Sequence, residues 1–238
     1  MEQLAPSGRR ALVVMAHPDD IEFSCGGTVA RWCDEGWEVT FLLATSGDKG
    51  SKDPEMTPER LAAIREEEQR AAAAVLGVRH VEFLRCPDGY VEDTVQMRER
   101  VVRAIRRFRP DVVVTWDGFR RSFNHRDHRT IGVVTVDAVF PLSRSGLYFP
   151  EHLAEGLEPH RTNEVLLAGS DQPDYLVDVS RYVERKIEAA LRHESQVLRD
   201  RSRDEWLAAA RGRAGFVPRG GAPAVEAFRR LRFGRQPA

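Results

Sequence analysis

The strongest constraint on the fold of this chain is an alternation: short apolar runs rich in β-branched residues recur, with helix-patterned stretches between them. The runs lie at Ala11 to Ala16, Val39 to Ala44, His80 to Leu84, Asp111 to Trp116, Val165 to Gly169 and Tyr175 to Val179. Their continuous apolar character fits strands buried on both faces. Helix-like spacing covers Thr28 to Glu35, Thr57 to Leu76, Thr94 to Phe108, His128 to Phe140 and Arg181 to Leu198. Thr57-Pro58 supplies an N-cap and a first-turn proline, and Gly77 follows Leu76 as a left-handed cap would. This order predicts right-handed crossovers and one α/β domain, a Rossmann-like, mainly parallel sheet flanked by helices. The 238 residues suffice for a single core. Ser143 to Thr162 reads as a long surface loop near the site, and an irregular C-terminal extension is expected from about residue 200.

Composition excludes several partners. With 36 basic and 37 acidic side chains, the net charge of -1 gives no global attraction to nucleic acid or to an anionic membrane. Cys25, Cys33 and Cys86 are odd in number and lack C-x-x-C spacing, so neither a disulfide framework nor a thiolate zinc site is indicated. The segment from Met1 to Arg10 has no apolar signal region, and no stretch is long and apolar enough to span a membrane. These features predict a cytoplasmic protein; a homo-oligomer stays open.

In doubly wound sheets, ligands gather beyond the carboxyl ends of the strands. There the first run passes into His17-Pro18-Asp19-Asp20, then Ser24-Cys25-Gly26-Gly27. This is not a G-x-G-x-x-G fingerprint, and two carboxylates would repel a pyrophosphate. A cation suits the position, although read alone the motif fits a capped turn equally well. A second cluster, Asn124-His125-Arg126-Asp127-His128, follows the run ending at Trp116 and decides between them. His17, Asp20 and His128 make a two-histidine, one-carboxylate set with room for water, typical of hydrolytic zinc and equally suited to Fe(II). Asp19, beside the ligand Asp20, is placed to act as general base. His125 is placed to meet an oxyanion, with Asp127 orienting it.

At these residues the chain resembles the PIG-L/LmbE-like family of metal-dependent N-acetylglucosaminyl deacetylases. The resemblance is carried by Ala16 to Asp20 with Gly26-Gly27, and by His125-x-Asp-His128, where Arg126 stands at a position usually proline. Weaker matches are Thr45 to Gly50, Arg65-x-x-Glu68, Leu76-Gly77, Phe83-Leu84 with Asp88-Gly89, His193-x-Ser-Gln196 and Val225 to Phe228. The resemblance implies His17, Asp20 and His128 as metal ligands, Asp19 as base and His125 as oxyanion donor tuned by Asp127. It also implies that Arg65 and Asp88 hold sugar hydroxyls, although Arg65 equally fits a charged helix face and Asp88-Gly89 a turn. His193 fits a structural hydrogen bond as well as catalysis. His152 and His160 have no evident partners.

The expected activity is removal of an acetyl group from the amine of an N-acetylglucosamine-type sugar or glycoconjugate, a small-molecule substrate. Amide hydrolysis of a thiol conjugate or acylated natural product uses the same chemistry. A catalytically silent sugar-binding protein would need neither Asp19 nor His125.

Overall fold

The computed structural model describes residues 10–122, 124–211 and 223–233. Among them the strands are β1 (Arg10–Met15), β2 (Glu38–Thr45), β3 (His80–Cys86), β4 (Val112–Trp116), β5 (Glu164–Ala168), β6 (Tyr175–Asp178) and β7 (Val225–Arg232). The helices are α1 (Asp20–Ser24), α2 (Gly26–Asp34), α3 (Pro58–Leu76), α4 (Val95–Phe108), α5 (Arg126–Val139), α6 (Glu151–Ala154), α7 (Val183–Leu191), α8 (Glu194–Val197) and α9 (Arg203–Arg211).

One sheet runs in the order β3-β2-β1-β4-β5-β7-β6, parallel from β3 to β5. Its pleat sends alternate residues of β1 into two cores. Ala11, Val13 and Met15 pack with α2, α3 and α7, whereas Leu12 and Val14 pack with α4 and α5. Burial on both faces is why β1 is apolar at every position after Arg10. Strand order reverses between β1 and β4, so the chain leaves these neighbours in opposite directions and opens a crevice beyond their carboxyl ends.

The helix-start and helix-stop signals are used as expected. Thr57 Oγ1 accepts the Arg60 N–H at 3.2 Å, Pro58 begins α3, and Gly77 closes it with φ 94°. The expected helix Arg181 to Leu198 is broken at Arg192-His193 into α7 and α8. Gly26 and Gly27 lie inside α2, so that helix begins before Thr28.

Three expectations need correction. The region beyond residue 200 is not simply irregular: it contains α9 and the antiparallel strand β7, inserted between β5 and β6. Residues 212–222 of that extension lie outside the described residues. The buried positions of β7 include Glu226 and Phe228, and a buried carboxylate disguises the apolar period.

The segment Ser143 to Thr162 does not border the crevice. It follows a helix and precedes β5, so crossover topology puts it at the amino ends of the strands. His160 Nε2 and Thr162 Oγ1 both bond the Pro110 carbonyl, just before β4. Nor are His152 and His160 without partners, because His152 is buried between Glu99 and Arg106.

Candidate active site

His17 follows β1, and its next three residues turn back on the strand. Asp20 Oδ2 accepts the backbone N–H groups of Ala16 and His17 at 3.1 and 2.9 Å, and the indole N–H of Trp116 at 3.0 Å. Three donors on one oxygen fix the carboxylate and turn Oδ1 toward His128, whose Nε2 lies 3.1 Å away. His17 Nδ1 lies 3.2 Å from His128 Nε2 and 3.5 Å from Asp20 Oδ2. Two donors on a tetrahedral zinc, each about 2.0–2.1 Å from it, stand roughly 3.3 Å apart. The spacing of the two histidine nitrogens, and of His128 Nε2 from Asp20 Oδ1, is that of paired donors on a small divalent cation, and the chemistry of the three side chains suits one.

The ring edges away from this triangle are also occupied. His17 Nε2 lies 3.1 Å from Asp88 Oδ1 and 3.3 Å from Asp127 Oδ2, the carboxylate-histidine contact that sets tautomer and basicity in metal sites. Burial opposes a charge on His17, but the carboxylates of Asp127, Asp20 and Asp88 outweigh it and push its pKa up to about 12. The Asp20 carboxyl is held well below its usual range: burial would raise it, and His128 and His17 prevail. Trp116 stacks flat on His128, ring centroids 4.3 Å apart and planes 8° apart.

Asp127 requires a correction. It was expected to orient His125, yet its carboxylate faces His17 and accepts the N–H groups of Gly89 at 2.7 Å and Val91 at 3.2 Å. The reason is local, since residues two apart at a helix start do not face one another. His125 is the N-cap of α5, and its Nδ1 accepts the Asp127 backbone N–H at 3.2 Å. A ring accepting at Nδ1 is neutral and carries its proton on Nε2. Burial, then His17 and His128, hold the His125 pKa below its ordinary value, in keeping with that neutral donor. His125 also lies close enough to form a three-histidine group with His17 and His128.

Asp19 is built differently from Asp20. Its backbone has φ 97° and ψ -27°, a left-handed conformation costing a non-glycine residue about 1–3 kcal/mol. Its N–H donates to Gln69 Oε1 at 3.0 Å, and its Oδ2 accepts from Arg65 Nη2 at 3.2 Å. Burial raises the Asp19 carboxyl, Arg65 lowers it and Asp20 raises it, with a net pKa of about 6. Arg65 is itself buried, donating to the carbonyls of Pro18 and Gly47. Gly47, at φ 65°, has no space for a side chain because a Cβ would lie 2.1 Å from Arg65 Nη1. Asp88 sits beyond β3 with its N–H on Asp48 Oδ1 at 2.8 Å. A cleft of about 420 Å³ adjoins these strand ends, lined by Ser46, Asp48, Glu66, Arg85 and Cys86 among others.

The model of a protein family described as PIG-L, GlcNAc-PI de-N-acetylase, matches residues 12–139. The chain belongs to the PIG-L family. It is 34% identical over 194 residues to a diacetylchitobiose deacetylase of Thermococcus kodakarensis, covering 81% of this chain and 72% of that one. A 1D-myo-inositol 2-acetamido-2-deoxy-alpha-D-glucopyranoside deacetylase of Actinosynnema mirum is 33% identical over 155 residues, 55% of this chain and 54% of its own length. The N,N'-diacetylchitobiose deacetylase from Pyrococcus horikoshii, solved with its inhibitor MPG, superposes with a TM-score of 0.83 at 27% identity, covering 95% of this chain and 85% of that one.

The PIG-L chain thus brings together His17, Asp19, Asp20, Asp88, His125, Asp127 and His128, with Arg65 behind Asp19. Sequence reasoning missed Trp116, Gln69 and Glu22. Trp116 had a readable signal, being the last residue of a strand at the switch point. Gln69 and Glu22 had none, because their hydrogen bond joins residues far apart in the chain.

Proposed function

We propose that this chain is a metal-dependent N-deacetylase acting on the acetamide of an N-acetylglucosamine-type sugar or glycoconjugate. The observation that carries this reading is the triangle of His17 Nδ1, Asp20 and His128 Nε2, with Asp19 alongside but not part of it. His17, Asp20 and His128 would hold a divalent metal, zinc in the first instance with Fe(II) suited to the same donors, which would polarise the acetamide carbonyl and lower the pKa of a bound water to about 7. Asp19 takes the proton of the attacking water as the C–O bond forms, then delivers it to the nitrogen as the C–N bond breaks. His125 donates from Nε2 to the carbonyl oxygen as it becomes negative. Asp127 orients His17 and the turn at Gly89 to Val91. Asp88 is assigned to the sugar hydroxyls; Arg65, for which the sequence suggests the same role, is buried with its guanidinium on the Pro18 and Gly47 carbonyls and on Asp19, and serves as partner to that carboxylate. The relatives' names support the amino-sugar class. Three unpaired cysteines support a reducing, cytoplasmic setting, and among the described residues no helix is long and apolar enough to cross a membrane.

The test is acetate release from N-acetylglucosamine and N,N'-diacetylchitobiose by zinc-loaded and chelator-treated protein, with metal content measured in parallel. Release by the loaded protein alone is expected. His128→Ala should lose metal, and His125→Ala should keep it while losing about 10²-fold or more in kcat with little change in KM. No release from either sugar, or equal metal in wild type and His128→Ala, would sink the proposal.

Trp116 gives a finer test. Trp116→Phe keeps the stack on His128 but removes the N–H that holds Asp20, so metal affinity should fall about 10-fold to 100-fold. Competition with a chromogenic chelator measures it, and unchanged affinity would remove Trp116 from the support of Asp20.

A further inference from the structure

Behind Asp19 runs a chain of fully buried polar side chains to which the reaction itself assigns nothing. Gln69, on α3, accepts the Asp19 N–H through Oε1 at 3.0 Å and donates through Nε2 to Glu22 Oε1 at 2.9 Å. The other oxygen of Glu22 lies 3.1 Å from His193 Nε2, at the break between α7 and α8. One turn before Gln69 on the same face of α3, Arg65 holds the Pro18 carbonyl and the Asp19 carboxylate. The turn carrying Asp19 is therefore gripped by one helix at its carbonyl, its N–H and its side chain.

An aspartate at φ 97° relaxes unless its peptide is held. The Asp19 N–H is the peptide group that reports this conformation, and its partner is Gln69. A fully buried trio of glutamine, carboxylate and imidazole contributes little to stability that apolar side chains would not match. Among the described residues its hydrogen-bonded link to the crevice is Asp19.

We infer that Gln69, backed by Glu22 and His193, is a positioning residue that holds Asp19 in its left-handed turn and so aims the carboxylate at the reacting water. This rests on the reading of Asp19 as the base. The relay is directional: the glutamine must accept from Asp19 and donate to Glu22, so the polarity of its atoms matters as well as their volume. His193 anchors the far end, which accounts for a buried histidine in a family motif lying away from the metal triangle.

The experiment compares wild type, Gln69→Leu, Gln69→Glu, the exchanged pair Glu22→Gln/Gln69→Glu, and Asp19→Asn. All are zinc-loaded, with N,N'-diacetylchitobiose as substrate and metal content and Tm recorded. Gln69→Leu should lower kcat about 10-fold to 100-fold, with KM and metal content changed less than about twofold. Gln69→Glu should be similarly impaired, because two carboxylates then face one another. The exchanged pair restores a donor-acceptor contact in the reverse sense and should recover about tenfold in kcat over Gln69→Glu. A role in packing alone responds to volume and gives no recovery, so an exchanged pair no better than Gln69→Glu overturns the inference. If Gln69→Leu does not fold, this comparison decides by itself. Near-normal kcat in every Gln69 variant beside an inactive Asp19→Asn refutes the relay and leaves the base intact. A wild type without activity, or an active Asp19→Asn, refutes the reading of the base and the relay with it.

Discussion

Asp19→Asn is expected to lower kcat by about 10³-fold, within the range of general acid-base contributions, while metal content stays at the wild-type level. The two adjacent aspartates differ in what their oxygens touch. Asp20 spends one oxygen on three N–H donors and turns the other to His128. Asp19 faces Arg65, with its side chain 22% exposed. Asparagine tolerates the left-handed conformation and can still accept from Arg65, so the turn survives and the loss falls on proton transfer. KM should change little, because the carboxylate acts on the water rather than on bound sugar. Steady-state kinetics with elemental analysis of Asp19→Asn and Asp20→Asn decide the matter. If the first loses metal and the second keeps it, the roles are reversed.

The largest expected loss of stability lies away from the crevice. Lys186 Nζ and Glu226 Oε1 pair at 2.6 Å, each side chain 2% exposed, and Glu226 also accepts the N–H groups of Gly27 at 2.9 Å and Thr28 at 2.7 Å. The carboxylate thus caps the start of α2 and joins it to β7 and α7. Removing one member of such a buried pair strands the other charge, at a cost of about 3–5 kcal/mol, or about 6–20 °C in Tm for a domain of this size. Glu226→Gln should exceed Lys186→Met, because in the latter the carboxylate keeps two N–H partners and a helix N-terminus. The double variant should cost less than the sum of the two. Thermal and urea unfolding measure all three, and additive costs would mean that the pair contributes nothing as a pair.

The parts of the fold legible in the sequence are those whose signal is local. β1 reads as a strand because both its faces are buried, and α3 reads as a helix because Thr57, Pro58 and Gly77 act within a few residues of themselves. His17, Asp20 and His128 were reachable because crossover topology places residues after β1 and β4 side by side. β7 was not reachable, since its defining residue is a buried glutamate whose partners, Gly27 and Thr28, lie about two hundred residues earlier. The sequence pairs Asp127 with its near neighbour His125, because proximity along the chain does not reveal a contact with His17 made across the crevice. The polar composition of Ser143 to Thr162 suggests a loop near the site, whereas its place after a helix and before β5 puts it at the amino ends of the strands.

The position of β7 bears on how the protein is made. β6 bonds to β7 and not to β5, so the gap between β5 and β6 stays one strand wide until the last strand in chain order arrives to fill it. During synthesis from the N-terminus, the strands and loops bearing His17, Asp88 and His128 emerge well before Glu226 and this closure. A nascent chain therefore carries the chemical centre for much of its elongation with one margin of the sheet unpaired and α2 uncapped. A chain cut off before β7 would keep every reactive side chain with the sheet open, exposed to proteases and to pairing with other unfinished chains.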